Sequence, residues 1–290
     1  MLSLAPLKGH CVRRIPRRLL DRVASKNRRE PVRCSSFESR APMPECRVVG
    51  VYSYPVKGAA GRAQRQLHID PAVGVLSDRR LAFKKVAGVQ DEWAPKSAFY
   101  VGMNTALMVA QVPAFVKDKD GDEKLDPRWL EEVAQRLGVK SLNVLDTHGA
   151  FSLADRPRRY VSIINLASVR ALGEFVGTAI DPARFRMNVW IDGLDPFAEL
   201  DWVKGHPGTL DIQIGGIRLR VDEACVRCKA IEANPQSGEY DLELQKALED
   251  LMLGRGYPGA PHNKSPRVMG VLAQPYSHGI IGQRDKVQPF

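Results

Sequence analysis

The sequence predicts an α+β, β-rich fold: a β-barrel or mixed β-rich core with helices at its flanks. Three observations carry this. Short apolar runs of strand length recur along the chain, with about three helical stretches between them. Strands and helices do not alternate regularly, as a doubly wound parallel sheet requires. No G-x-G-x-x-G follows a strand, and no G-x-x-x-x-G-K-[ST] is present, so the usual nucleotide fingerprints are missing.

The elements follow in order. Val48 to Val56 is a β-rich run that ends near Pro55, and Leu67 to Ile69, Arg80 to Val86 and Ala106 to Val112 read as further strands. Asp126-Pro127 starts a helix, with Asp126 as cap and Pro127 in the first turn, and Gly138 ends it. Trp129, Val133 and Leu137 fall at helical spacing and are expected to pack on a sheet. Residues 139 to 156 hold one strand and a polar loop. Tyr160 to Ile164 is a strand that hands over to Asn165 as cap, and the helix Leu166 to Phe175 closes at Gly177. Phe185 to Ile191 reads as a strand and Gly193 to Pro196 as a turn. Ile212 to Ile214 and Ile217 to Val221 form a hairpin across Gly215-Gly216. Asp241 to Leu253 is a helix, and short strands follow from Val268.

Composition is that of a soluble globular protein: 44% of residues are hydrophobic and 26% charged, so a substantial core can form. No window approaches the roughly 18 consecutive apolar residues of a membrane helix. The net charge of +10 is concentrated at the N-terminus. Residues 1–43 hold eleven of the 43 Lys and Arg but only three of the 33 Asp and Glu, which leaves the body nearly neutral. A nucleic-acid binder places its basic excess on a folded face, so that class is disfavoured. The segment is rich in Arg and poor in acids, with a short amphipathic stretch at Arg17 to Val23. Val32-Arg33-Cys34-Ser35-Ser36 resembles a plastid processing site. Residues 1–45 are thus expected to be a chloroplast transit peptide, with a mitochondrial presequence or a basic tail as alternatives. Of the five cysteines, Cys11 and Cys34 fall in this leader. Cys46, Cys225 and Cys228 remain, an odd number without disulfide-framework spacing, as in a reducing compartment.

Four short stretches hold candidate chemistry. Cys225-Val226-Arg227-Cys228 has several readings: half a zinc site, with His262 and His278 as remote candidates; a redox dithiol; one functional thiolate flanked by Arg227 and Lys229; or two core cysteines. Tyr54-Pro55-Val56-Lys57-Gly58 ends a strand at a Pro and presents an ammonium beside backbone N–H groups, a way to meet an anion. Ser77-Asp78-Arg79-Arg80 offers a guanidinium suited to phosphate, or an ordinary surface pair. Phe185-Arg186-Met187-Asn188-Val189, read as a strand, puts Arg186 and Asn188 on one face.

Together these stretches resemble the MOSC family, named for the C-terminal domain of molybdenum cofactor sulfurase. Its elements occur here in the family's order: Y-P-V-K-S/G at Tyr54 to Gly58, D-R at Asp78-Arg79, and F-R-x-N at Phe185 to Asn188. Next come [FW]-x-E-x-x-W at Phe197 to Trp202, R-C at Arg227-Cys228, and D/N-P-x-T/S-G at Asn234 to Gly238. Tyr160 to Val169 also looks like bacterial members. The match runs over about residues 46 to 290, and its specificity lies in the ordered set. The resemblance implies an N-terminal β-rich domain over 46–125 and a MOSC β-barrel with flanking helices over 126–290.

It further implies a molybdenum–molybdopterin cofactor with Cys228 as the metal's thiolate ligand and the catalytic position, soft sulfur being suited to such a metal. Lys57, Arg79 and Arg186 would meet the cofactor's phosphate. Gly58, Asn188 and the backbone of Cys225, Val226 and Arg227 would hold the pterin. The resemblance is nearest to the amidoxime-reducing members, which implies reduction of small N-hydroxylated substrates with electrons from a cytochrome b5-like haem protein and its flavin reductase. It also implies pyridoxal phosphate binding, with no residue of this chain assigned to it. Gly58 stands where eukaryotic members usually have Ser, Asn234 where they have an acid, and Val271 where they have an aromatic residue, and these departures bear on the substrate more than on the metal. A cofactor or persulfide carrier, and a zinc-binding plastid protein, are the other readings.

Overall fold

The structure is a computed structural model, and it describes residues 45–85, 98–99, 105–156, 159–204, 210–257, 259 and 265–289. The expected leader over 1–45 lies outside these, apart from Glu45.

The first strands are β1 (Arg47–Ser53), β2 (Arg62–Gln64), β3 (Gln66–Asp70), β4 (Gly74–Val75) and β5 (Leu81–Lys84). The hairpin β6 (Phe115–Lys117) and β7 (Glu123–Leu125) precedes the helix Pro127–Leu137. Asp126 caps that helix by accepting from the Arg128 N–H, and Gly138 ends it at φ 70°, a left-handed turn that glycine adopts without steric cost. Trp129 and Val133 are buried and Leu137 is partly so, in a cluster with Leu81 and Phe83. β8 (Asn143–Asp146) pairs antiparallel with β5 beside them.

Next come β9 (Val161–Asn165), the helix Leu166–Val176 capped by the Asn165 side chain and closed at Gly177, and β10 (Val189–Asp192). β11 (Leu210–Ile214) and β12 (Ile217–Val226) form the expected hairpin, with Ile214 opposite Ile217. The helix Leu244–Gly254 and the strands β13 (Val268–Pro275), β14 (Gly279–Gly282) and β15 (Val287–Pro289) finish the chain.

One sheet dominates, in the order β15-β11-β12-β13-β9-β10-β1-β2; β9 and β10 are parallel and the other neighbours antiparallel. Its strands come from both sides of residue 126. The fold is α+β as expected, but the barrel is not closed. The sheet is a curled, open half-barrel. Where closure would occur, Arg47 meets Lys286 in an isolated bridge rather than a ladder, helped by the Val48 N–H donating to Asp285 O and the Val287 N–H to Cys46 O. β14-β3-β4 forms a second, three-stranded sheet.

Three local expectations need correction. Thr105–Val109 is a helical turn, not a strand; Ala106, Leu107 and Met108 are good helix formers, and burial of Met108 and Val109 is satisfied on one face of it. Pro182–Phe185 is a 3-10 turn, not the start of a strand, because Asp181 caps the Ala183 N–H and Pro182 fixes the first turn. The last helix begins at Leu244 rather than Asp241, whose carboxylate is engaged by Arg184 and Asn234.

Candidate functional site

Five strands of the large sheet align Val51, Val189, Ile163, Val271 and Ala224 in one row. All five are buried in the main hydrophobic cluster. Successive strand residues point to opposite faces, so their neighbours Asn188, Ser162, Leu272 and Cys225 face the other way, and these four line a cavity of about 200 Å³. Lys57, Gly58, Arg79, Arg186, Val226, Arg227 and Cys228 line it as well. Every residue that the resemblance assigns to the cofactor or metal therefore borders one cavity, although 171 positions separate Lys57 from Cys228.

The cationic end is built by two segments running side by side. The Arg79 N–H donates to Tyr54 O, the Leu81 N–H to Pro55 O and the Lys57 N–H to Leu81 O, each at 2.7–2.9 Å. Lys57 is 4% exposed; its ammonium donates to Leu153 O and to an Asp155 carboxylate oxygen, both at 2.6 Å. Arg79 pairs with the buried Asp78, whose other oxygen accepts from the Tyr54 N–H at 2.6 Å. Burial opposes the Arg79 charge, but the Asp78 carboxylate outweighs it and holds the guanidinium above its usual range. Among the described residues no carboxylate forms an ion pair with Arg186. Removal from water, and then the Arg79 cation beside it, pull it down to about 10, so it still carries a charge at neutral pH. Arg79 and Arg186 sit at φ 50° and 54°, a left-handed backbone that costs a residue with a Cβ on the order of 1 kcal/mol.

The sulfur end lies where β12 runs out. Cys225 is partly buried near the end of that strand, and exposed Cys228 precedes the 3-10 turn Lys229–Glu232. Arg227 turns onto the first cysteine: its Nη1 donates to the Cys225 Sγ at 2.8 Å and its Nη2 to Phe185 O. Lys229 lies 4.8 Å over the Tyr240 ring. His278 faces Asp70 at 3.6 Å, and His262 lies outside the described residues. Among the described residues no cluster of three or more His, Cys, Asp or Glu is arranged to hold a metal ion.

Asn188 is fully buried. Its Oδ1 accepts from the Ser162 hydroxyl at 2.6 Å and its Nδ2 donates to Tyr52 O at 3.1 Å, so it staples three adjacent strands. Arg186 and Asn188 reach the same cavity from a turn and a strand start, not from one strand face. The sequence reading missed Arg184. Its buried guanidinium grips the Asp241 carboxylate through two bonds of 2.7 and 2.8 Å and donates to Glu232 O, which ties the Arg186 turn to the turn after Cys228. Asp181-Pro182 was its one signal, a capped turn that would have placed Arg184 inward.

Residues 148–288 match the family model described as MOSC domain.

The chain carries a MOSC domain.

Four of the cationic-end residues, Lys57, Gly58, Asp78 and Arg79, lie before the matched MOSC segment and still wall its cavity. A molybdenum cofactor sulfurase of Caenorhabditis elegans is 30% identical over 247 residues, 74% of this chain and 32% of that protein. One of Caenorhabditis briggsae is 30% identical over 125 residues, 42% of this chain and 16% of that protein. The chain therefore spans a third or less of the curated relatives it matches. The solved YUAD protein of Bacillus subtilis aligns with a TM-score of 0.40 at 13% identity, over 83% of this chain and 93% of that one.

Proposed function

We propose that this protein is a molybdenum-cofactor-dependent oxidoreductase that reduces N-hydroxylated compounds of the amidoxime and hydroxylamine type. The observation that supports it is one cavity lined by an exposed thiol, Cys228, and by a set of buried cations. The donor set suits a pterin dithiolene carrying a phosphate. Seven basic side chains and two carboxylates line the cavity, an excess that calls for an anion. Two of the guanidinium groups, those of Arg184 and Arg227, keep a buried Nε–H without a hydrogen-bond partner among the described residues, and a buried donor left this way costs about 1–3 kcal/mol until something accepts from it.

In this reading Cys228 supplies the metal's protein ligand. Lys57, Arg79 and Arg186 hold the phosphate, and Gly58, Asn188 and the Cys225–Arg227 backbone hold the pterin. The bound cofactor would supply two-electron oxygen-atom transfer; the chain binds, orients and shields it. The carboxamide of Asn188 retains one N–H beyond its bonds to Ser162 and Tyr52, so its share is one donor. The sequence has no haem or flavin motif, which suits an external electron source, here a cytochrome b5-like haem protein and its flavin reductase. A chloroplast location, with the mitochondrion as alternative, is part of the same proposal.

A second reading is favoured by the curated relatives, which are molybdenum cofactor sulfurases: a carrier that takes cofactor or a persulfide on Cys228 without reductase turnover. The test is hydroxylamine reduction by cofactor-loaded protein with the haem partner, its reductase and reduced nicotinamide. The expected outcome is turnover that Cys228→Ser abolishes. Loaded protein that holds molybdenum and accepts persulfide sulfur, yet gives no turnover, would select the carrier.

A further inference from the structure

Both guanidinium groups of the cationic end, those of Arg79 and Arg186, rest against the ring of Tyr54. That ring is 2% exposed, and the Arg186 and Arg79 guanidinium groups lie over it, 4.6 and 5.4 Å from the ring centre. Two like charges are thereby held close together in a poorly solvated site, and each rests on the electron-rich face of a ring. The ring itself is held in place. Its hydroxyl donates to Met187 O at 3.3 Å, and its backbone carries the hydrogen bonds to Asp78 and Arg79. Gly61 leaves room for the ring edge: a Cβ at Gly61 would stand 2.9 Å from two ring atoms and closer to a third. Arg186 is braced by donating to Ala59 O.

We infer that Tyr54 is a positioning residue: its ring fixes the separation and direction of Arg79 and Arg186 so that the pair meets one phosphate-like anion. This rests on the proposed anion end of the cavity and adds how that end is set. The ring does not line the cavity, so it does not itself meet the anion. It acts by keeping two mutually repelling cations where both can donate to the same oxygens. Without it, Arg186 and Arg79 relax apart. The left-handed backbone at both arginines then no longer aims them at a common point.

The experiment is calorimetric titration of the full, metal-free chain with inorganic phosphate at neutral pH. Tyr54→Phe keeps the ring and loses only the bond to Met187 O, so it binds within about twofold of the wild type. Tyr54→Leu binds about tenfold more weakly, the size of two lost cation–ring contacts. Gly61→Ala, which keeps the tyrosine and both arginines but pushes the ring aside, weakens phosphate to a similar degree. It decides the matter should Tyr54→Leu not fold. In an Arg186→Gln background Tyr54→Leu costs less than about threefold, because the group it positions is gone. Equal losses in both backgrounds, or wild-type affinity in both Tyr54→Leu and Gly61→Ala, overturn the inference. A wild type that holds molybdenum but takes no phosphate removes the Tyr54 role and leaves the cofactor reading standing. Phosphate binding with the expected pattern in a protein that never holds molybdenum does the reverse.

Discussion

Glu199 is fully buried, and the Ser168 hydroxyl bonds both of its carboxylate oxygens at 2.8 and 2.9 Å. Burial pushes this carboxyl up from the usual 4.5 to about 7, with the bonds from Ser168 and Asn165 opposing the rise. Between those two values the unfolded chain releases the proton and the folded chain keeps it. Stability therefore falls as pH rises from 4.5 to about 7 and levels off above. Glu199→Gln removes that slope, a change on the order of 3 kcal/mol across the window. Urea unfolding of both proteins at pH 5 and pH 8 measures it, and parallel pH dependence would contradict the assignment. At this scale the sequence showed the residue types but not their surroundings. Lys57, Arg79, Arg186 and Cys228 were legible from short motifs. Nothing in those motifs indicated that Arg79 and Arg186 adopt left-handed backbone, since arginine carries no signal for it as Gly or Asn does.

The turn Pro182–Phe185 carries Arg184, whose guanidinium is 5% exposed and clamps Asp241 at 36% exposure. Asp241→Asn leaves the buried cation facing a neutral amide. Allowing for the partial exposure of Asp241, the expected loss is about 2 kcal/mol of stability. Urea unfolding is again the measurement, and a loss under about 0.5 kcal/mol would mean that the clamp is not what joins the Arg186 turn to the Cys228 turn. Helices with a cap, a helical apolar spacing and a glycine stop were readable, as at Pro127–Leu137 and Leu166–Val176. The same Asp-Pro start at residue 181 went unread because the alternation from Phe185 to Ile191 favoured a strand. Thr105–Val109 is too short for periodicity to separate helix from strand.

The large sheet depends on pairings that local sequence does not specify. β1 pairs with β10 across about 140 residues of chain, and β15 stops short of pairing with β1 in a ladder. Many strand positions and the β11–β12 hairpin were readable, whereas sheet order and closure were not, and the expected barrel is an open half-barrel. The MOSC segment 148–288 also lacks β1, which covers the β10 edge, and Val48, Val51, Leu67, Ile69 and Val75 of the main core. A fragment of residues 148–288 is therefore expected to lack fixed tertiary structure by near-ultraviolet circular dichroism; a native-like spectrum would show that β1 is dispensable. The site is assembled by the same long-range contacts, with Lys57 and Arg79 before residue 148 and Arg186 and Cys228 after it. The central claim is that this thiol is the metal's ligand. Molybdenum content, measured by mass spectrometry on protein made in a cofactor-competent host, tests it most directly. Wild type and Cys225→Ser should carry molybdenum and Cys228→Ser should not. Equal retention or equal loss in the two variants, or a wild type that holds zinc instead, would contradict it.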